Sequence, residues 1–189
     1  DLRYADIVDV VSVGNEATVD WTDHLIEPET VKAYASDVRS QIKQPVTFCE
    51  NYVPWLTSLE GLAANLDVIS IHTYPVWEYK TLDEAMDYTR KNFEAVQARY
   101  PDKQVIITEA GWATASNGRG IPPDNVGEML QHQYLEQLLS WAEEQQILVY
   151  VFEAFDENWK GSDHPLEPEK HWGLYRADRS AKPALSIQR

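Results

Sequence analysis

Short apolar runs alternate with longer amphipathic segments along this chain, with no low-complexity tract or repeat between them. The runs are Ile7 to Val13, Pro45 to Cys49, Leu66 to His72, Gln104 to Thr108 and Ile147 to Phe152. They are rich in Val and Ile and lack strict polar alternation, which predicts strands covered on both faces, as in parallel sheets. Between the first two, Val31, Tyr34, Ala35, Val38 and Ile42 recur at helical spacing after Pro28, a residue tolerated in a first helical turn. Thr81 and Glu84 stand at capping-box spacing before Leu82, Ala85, Met86, Thr89, Phe93 and Val96, and Pro101 stops that helix. A third helix follows Pro122-Pro123-Asp124 and carries Met129, Leu130, Tyr134, Leu138, Trp141 and Ala142, and a shorter one is predicted near Ser58 to Asn65.

The order βαβαβαβαβ implies an α/β fold with right-handed crossovers, either a doubly wound sheet or a (β/α) barrel. The predicted strands end in Asn15-Glu16, Glu50-Asn51-Tyr52, His72-Thr73-Tyr74, Glu109 with Trp112, and Glu153 followed by Asp156-Glu157-Asn158. Reactive side chains gathered at one end of nearly every strand are the pattern of a barrel active site. No glycine-rich phosphate loop follows any strand, which removes the main support for a nucleotide-binding sheet. A full barrel needs eight strands and about 250 residues, whereas five units are counted here. The expectation is that residues 1–189 form a partial (β/α)8 TIM barrel domain, strands 4 to 8, with strands 1 to 3 absent.

Acidic residues outnumber basic ones 31 to 16, so a nucleic-acid backbone or an anionic membrane surface would be repelled. No apolar run approaches the ~20 residues of a membrane span, and Asp1-Leu2-Arg3-Tyr4 does not read as a leader. Cys49, the single cysteine, has no internal disulfide partner and reads as a buried structural thiol. Seven tryptophans and ten tyrosines supply flat faces of the kind that line grooves for flat, neutral ligands, and sugars fit.

The strongest constellation is a glutamate pair, Glu16 in Val11-Ser12-Val13-Gly14-Asn15-Glu16 and Glu109 in Ile106-Ile107-Thr108-Glu109-Ala110-Gly111-Trp112. Cleaving a glycosidic bond takes one carboxylic acid to protonate the departing oxygen and one carboxylate to attack or shield the anomeric centre. Together with Phe155-Asp156-Glu157-Asn158 and Trp172-Gly173-Leu174-Tyr175, these segments resemble glycoside hydrolase family 17, the β-1,3-glucanases and related glucanosyltransferases. The likeness runs from Ile7 to Ile187. It implies a (β/α)8 barrel with Glu16 as acid/base ending the fourth strand and Glu109 as nucleophile ending the seventh, and a retaining mechanism. It further implies that Asn15 holds the sugar 2-hydroxyl, that Tyr74 orients Glu109, and that Glu157, Lys160 and Glu169 form a charged cluster beside the acid/base. Glu16 is expected to stay protonated through a raised pKa. Ala113 departs from the family, which often has proline there. The resemblance implies a secreted, periplasmic or cell-surface parent protein.

Trp112 is the first choice for a sugar-stacking platform, with Trp77, Tyr52, Trp55 and Trp159 behind it, while Trp141 reads as core and Trp21 as either loop packing or a product-side subsite. Glu153 is favoured over Glu50 for sugar contact. His72 could orient Glu109, bind sugar or be a core histidine. The remaining histidines lack metal-site spacing, so no metal and no cofactor are expected. The partner expected is a neutral β-1,3-glucan, cleaved by double displacement. The alternatives are a glucanosyltransferase using the same site and an inactive glucan-binding or assembly fragment, which would pair with the missing barrel half or with itself.

Overall fold

The computed structural model describes residues 6–187; the Asp1-Leu2-Arg3-Tyr4 start lies outside the described residues. Five parallel strands alternate with helices, in hydrogen-bonded order β1-β2-β3-β4-β5. The strands are β1 (Val11–Asn15), β2 (Val46–Asn51), β3 (Val68–His72), β4 (Gln104–Ala110) and β5 (Val149–Val151). The helices are α1 (Pro28–Gln41), α2 (Tyr52–Thr57), α3 (Glu60–Ala63), α4 (Leu82–Arg99) and α5 (Glu128–Gln145). The described residues form two compact units, 6–73 with 92–108 and 74–91 with 109–187.

In the first unit β1 pairs with β2 through Val11 opposite Val46 and Ser12 opposite Thr47, then slips register so that Asn15 meets Cys49. Such a slip bends a strand and re-aims its end, here just before Glu16. The pairing of β2 with β3 sets Cys49, Glu50 and Asn51 against Ser70, Ile71 and His72. Phe48, Trp55, Ile69, Ile71, Val96 and Ile107 are buried together with Tyr100. Trp55 anchors this core: its ring meets Phe48 and Tyr100 edge-on, and its indole N–H donates to the Ser70 carbonyl at 3.0 Å. Satisfying that N–H is what makes so large a polar-tipped ring stable in a core.

In the second unit β5 joins the end of β4 through Phe152 N–H to the Ala110 carbonyl, 2.9 Å. The backbones approach so closely that a Cβ at Gly111 would collide with the Phe152 carbonyl oxygen, and one at Gly173 with the backbone of Phe155, Asp156 and Tyr175. Only glycine allows either approach. Gln131 of α5, wholly buried, uses its amide to tie the carbonyls of Trp112 and Trp172, each at 3.0 Å. α5 closes with Gln146 in left-handed conformation and Ile147 N–H returning to Ala142, a C-terminal cap that satisfies orphan carbonyls.

Several predicted boundaries move. The first strand begins at Val11; Ile7 lies in a turn and is exposed, so the front of that apolar run packs no sheet. The fifth strand keeps only three residues of the predicted run. The second and fourth extend beyond prediction, to Asn51 and Ala110. Helix α2 was not foreseen, although Asn51 caps it by accepting from Val53 N–H at 2.9 Å. Glu84 reaches back to the Thr81 N–H and hydroxyl ahead of α4, as the capping-box spacing requires. Among the described residues, no helix is long and apolar enough to cross a membrane.

Candidate active site

Glu16 directly follows β1. Its backbone N–H donates to the Cys49 carbonyl at 2.9 Å, and its φ of 43° lies in the left-handed region that side chains other than glycine's rarely adopt. Such outliers persist where surrounding structure enforces them, and they gather at functional positions. His72, at the end of β3 and completely buried, places Nδ1 2.9 Å from Glu16 Oε1. Trp21 and the ring of His24, both from the segment that follows Glu16, also act on its titration. Burial pushes the Glu16 carboxyl up, but the His72 hydrogen bond and charge, Trp21 and His24 together outweigh it and hold the group below its ordinary value. The expectation of a raised Glu16 pKa is therefore corrected: in the unliganded protein several donors favour the ionised form.

His72 acts on Cys49 as well. Burial pushes its thiol up, yet His72, Ser12 and Thr108 together bring it below the ordinary value, and the residue is half-buried. His72 meets Glu16 through its Nδ1. Glu50 is fully buried and accepts from the Thr18 N–H and hydroxyl at 2.9 and 2.7 Å and from the Asn51 N–H at 2.7 Å, a structural anchor for the segment after Glu16. Asn15 is exposed at the end of β1, and Tyr52 is half-buried at the start of α2. Trp55, expected as a reserve stacking face, belongs to the core instead.

In the second unit Glu109 lies in the last turnward pair of β4, and the Tyr74 hydroxyl donates to its Oε2 at 2.6 Å. Tyr74 is held in turn by aromatic neighbours: Trp172 at 5.1 Å and Phe152 at 5.9 Å between ring centres, both edge-on, while Trp77 lies 5.9 Å from Trp172. Such edge-to-face packing leaves the hydroxyl little freedom to leave Glu109. Trp112, the preferred stacking platform, has no exposed face: it is enclosed against Tyr134, 5.3 Å between ring centres, and its N–H donates to the Asn125 carbonyl. That expectation is corrected, because a ring used to pack α5 onto the strand end has no surface left for a sugar. Trp77 is half-buried and Trp159 widely exposed.

After β5, Lys160 Nζ lies between Glu153 Oε2 at 2.6 Å and Glu157 Oε2 at 2.7 Å, with its ammonium 4.5 Å over the Phe152 ring. Burial raises the Glu153 carboxyl to about 7; Lys160 opposes this and the charge of Glu157 adds to it. Burial works against the Lys160 charge too, but its two carboxylates win and hold its pKa above the ordinary value. Glu169 is half-buried in the short Pro168–Lys170 turn. From the sequence Trp21 stays undecided between loop packing and a product-side subsite, and neither His24 nor Cys49 is linked to Glu16; the nearness of His24 to Glu16 in the chain was the available signal.

Residues 2–173 match the model of the BtgE/BtgC glycoside hydrolase domain. The chain belongs to this glycoside hydrolase family. It is 26% identical to the probable glucan endo-1,3-beta-glucosidase of Aspergillus clavatus, over 99% of this chain and 29% of that protein. It is 23% identical to the glucan 1,3-beta-glucosidase of Arthroderma benhamiae, over 94% of this chain and 61% of that protein. The chain thus spans between about a third and three fifths of these relatives. Among solved structures it is similar to an endo-laminarinase from Formosa, TM-score 0.87 at 24% identity, covering 98% of this chain and 58% of that one. It is also similar to the glycoside hydrolase family 17 beta-1,3-glucanosyltransferase from Rhizomucor miehei, TM-score 0.81 at 25% identity, covering 96% and 64%. The resemblance seen in the strand-end motifs is borne out by these matches.

Proposed function

We propose that this chain carries the catalytic carboxylates of a retaining glycosidase acting on β-1,3-glucan, with Glu109 as nucleophile and Glu16 as general acid/base. The observation that supports it most is that each of these two strand-end glutamates is held by a dedicated partner, Glu109 by the Tyr74 hydroxyl and Glu16 by His72. The β-1,3 linkage rests on the names of the relatives. The five β/α units correspond in this reading to the fourth to eighth of a (β/α)8 barrel, in keeping with the share of the structural neighbours they cover.

In the first step a Glu109 oxygen forms a bond to the anomeric carbon as the bond to the leaving oxygen breaks, and the Glu16 proton passes to that oxygen. In the second, ionised Glu16 takes a proton from water as the water oxygen attacks the same carbon and Glu109 departs. The donors around Glu16 favour the ionised form that this second step uses. Asn15, Tyr52, Trp77, Glu157, Lys160 and Glu169 are assigned to the substrate, with Glu153 acting beside Lys160.

The test is turnover of laminarin with product configuration followed by proton NMR. Retained β-anomers are expected at first. Glu16→Gln should lower the rate by about 10²- to 10⁴-fold, the usual contribution of a general acid, and Glu109→Gln should abolish it while oligosaccharide binding persists. Wild-type rates in Glu109→Gln, or inverted product, would overturn the assignment. When another glucan hydroxyl replaces water in the second step the same residues perform transfer, and longer products then appear.

A further inference from the structure

The turn that follows β5 holds one large ring away from every core. Among the described residues Trp159 is the most exposed of the large apolar side chains, at 76%. Its backbone is nevertheless fixed on both sides. The Asn158 carbonyl accepts from the ammonium of buried Lys170 at 2.6 Å, and Lys160 N–H returns to the Glu157 carbonyl at 3.0 Å. Glu157 N–H donates in turn to the Lys170 carbonyl at 3.2 Å. Gly161 then takes a φ of 65°, and a Cβ there would collide with the completely buried Glu167 side chain. So constrained a turn presents the ring to solvent in one place, which lowers the cost of binding something against it. The Lys160 ammonium stands 5.9 Å from the Trp159 ring centre, within cation–π range, and is bonded to Glu153 and Glu157. That ammonium also lies over Phe152, whose ring meets Tyr74, the donor to Glu109. An unbroken series of contacts thus runs from the exposed ring to Glu109.

We propose that Trp159 is a specificity-determining residue that forms an outer sugar position, stacking a glucan unit beyond the one attacked while Lys160 and Glu157 meet the hydroxyls of that unit. This rests on the role of Glu109 given above. Lys160 and Phe152 stand between the ring and Glu109, so a sugar on Trp159 is not the sugar bonded to Glu109 but a further unit of the same chain. A pyranose has a C–H face and a rim of hydroxyls. A flat apolar ring beside an ammonium donor and a carboxylate acceptor answers both. Trp55 and Trp112 are fully buried and offer no such face. The outer position makes the site favour longer glucans.

The experiment compares Trp159→Ala and Trp159→Phe with the unaltered chain on laminaritriose and laminarihexaose. Trp159→Ala should lower kcat/KM for laminarihexaose by about three- to ten-fold, the value of one aromatic face, chiefly through KM, and leave laminaritriose almost unchanged. Trp159→Phe should recover most of the loss, because it keeps a ring. Equal losses on both substrates would make Trp159 a structural residue and overturn the proposal. No loss on either would overturn it too, and is the result expected of a ring that serves another protein or a second copy of this chain. Calorimetric titration with laminarihexaose runs in parallel. A chain that turns over neither substrate refutes the glycosidase reading, and titration then decides the sugar position by itself: affinity three- to ten-fold weaker in Trp159→Ala upholds it, and unchanged affinity overturns it.

Discussion

Replacing Glu153 by glutamine isolates the energetic consequence of burying a carboxyl beside an ammonium that must also serve Glu157. The Glu153 side chain is only 15% exposed, and its pKa rises from 4.5 to about 7. The folded protein therefore binds the Glu153 proton more tightly than the unfolded chain does. This contribution to stability is complete below about 4.5 and is lost as pH rises toward 7. A displacement of about two and a half pKa units corresponds to roughly 3 kcal/mol, at about 1.4 kcal/mol per unit. Glutamine cannot ionise and retains nearly the same shape. Urea unfolding of both proteins from pH 4 to pH 8 should show similar stabilities at the acid end and a Glu153→Gln variant more stable by up to roughly 3 kcal/mol at pH 8. The difference should grow mainly between pH 5 and 7. A gap that does not change with pH would mean that Lys160 neutralises Glu153 fully and that burial is not the dominant influence.

Three further outcomes follow from contacts in the two units. His72→Leu removes the largest of the influences that favour ionised Glu16 and leaves burial opposed only by Trp21 and His24, so the alkaline limb of the laminarin pH–rate profile should move to higher pH; an unmoved limb would refute the pairing. Gly111→Ala should destabilise by about 1–3 kcal/mol, as overpacking does, because its Cβ would collide with the Phe152 carbonyl oxygen; thermal melting, at about 2–4 °C per kcal/mol for a chain of this size, reads it. Lys182→Met strips Asp156, whose side chain is only 9% exposed, of the ammonium 2.7 Å away and should lower unfolding free energy by about 3–5 kcal/mol, with Asp156→Asn in the same chain recovering part of the loss.

What could be seen in the sequence was what repeats or stands alone. Val and Ile runs ending in Glu16 and Glu109 marked the strands because a sheet covered on both faces admits little else. Pairings at long range left no trace: Glu16 and His72 are 56 positions apart, and nothing local distinguishes a histidine that serves one glutamate from a histidine that serves another. The aromatics misled for a related reason. Trp55 and Trp112 look like groove residues in a polar chain, but each has its N–H satisfied by a backbone carbonyl, and that bond is what permits them to fill cores. The front of the first apolar run shows the complementary failure, since Ile7 and Val8 have the right composition but remain exposed.

The left-handed backbone at residue 16 sets the protein's stability against its chemistry. For most side chains this conformation costs about 1–2 kcal/mol, and asparagine bears it more easily than glutamate. Asparagine would keep an acceptor near His72 but would have no proton to give. Laboratory drift that selected only for heat tolerance should therefore tend to fix asparagine at this position, whereas a requirement for growth on glucan should keep glutamate there despite the strain.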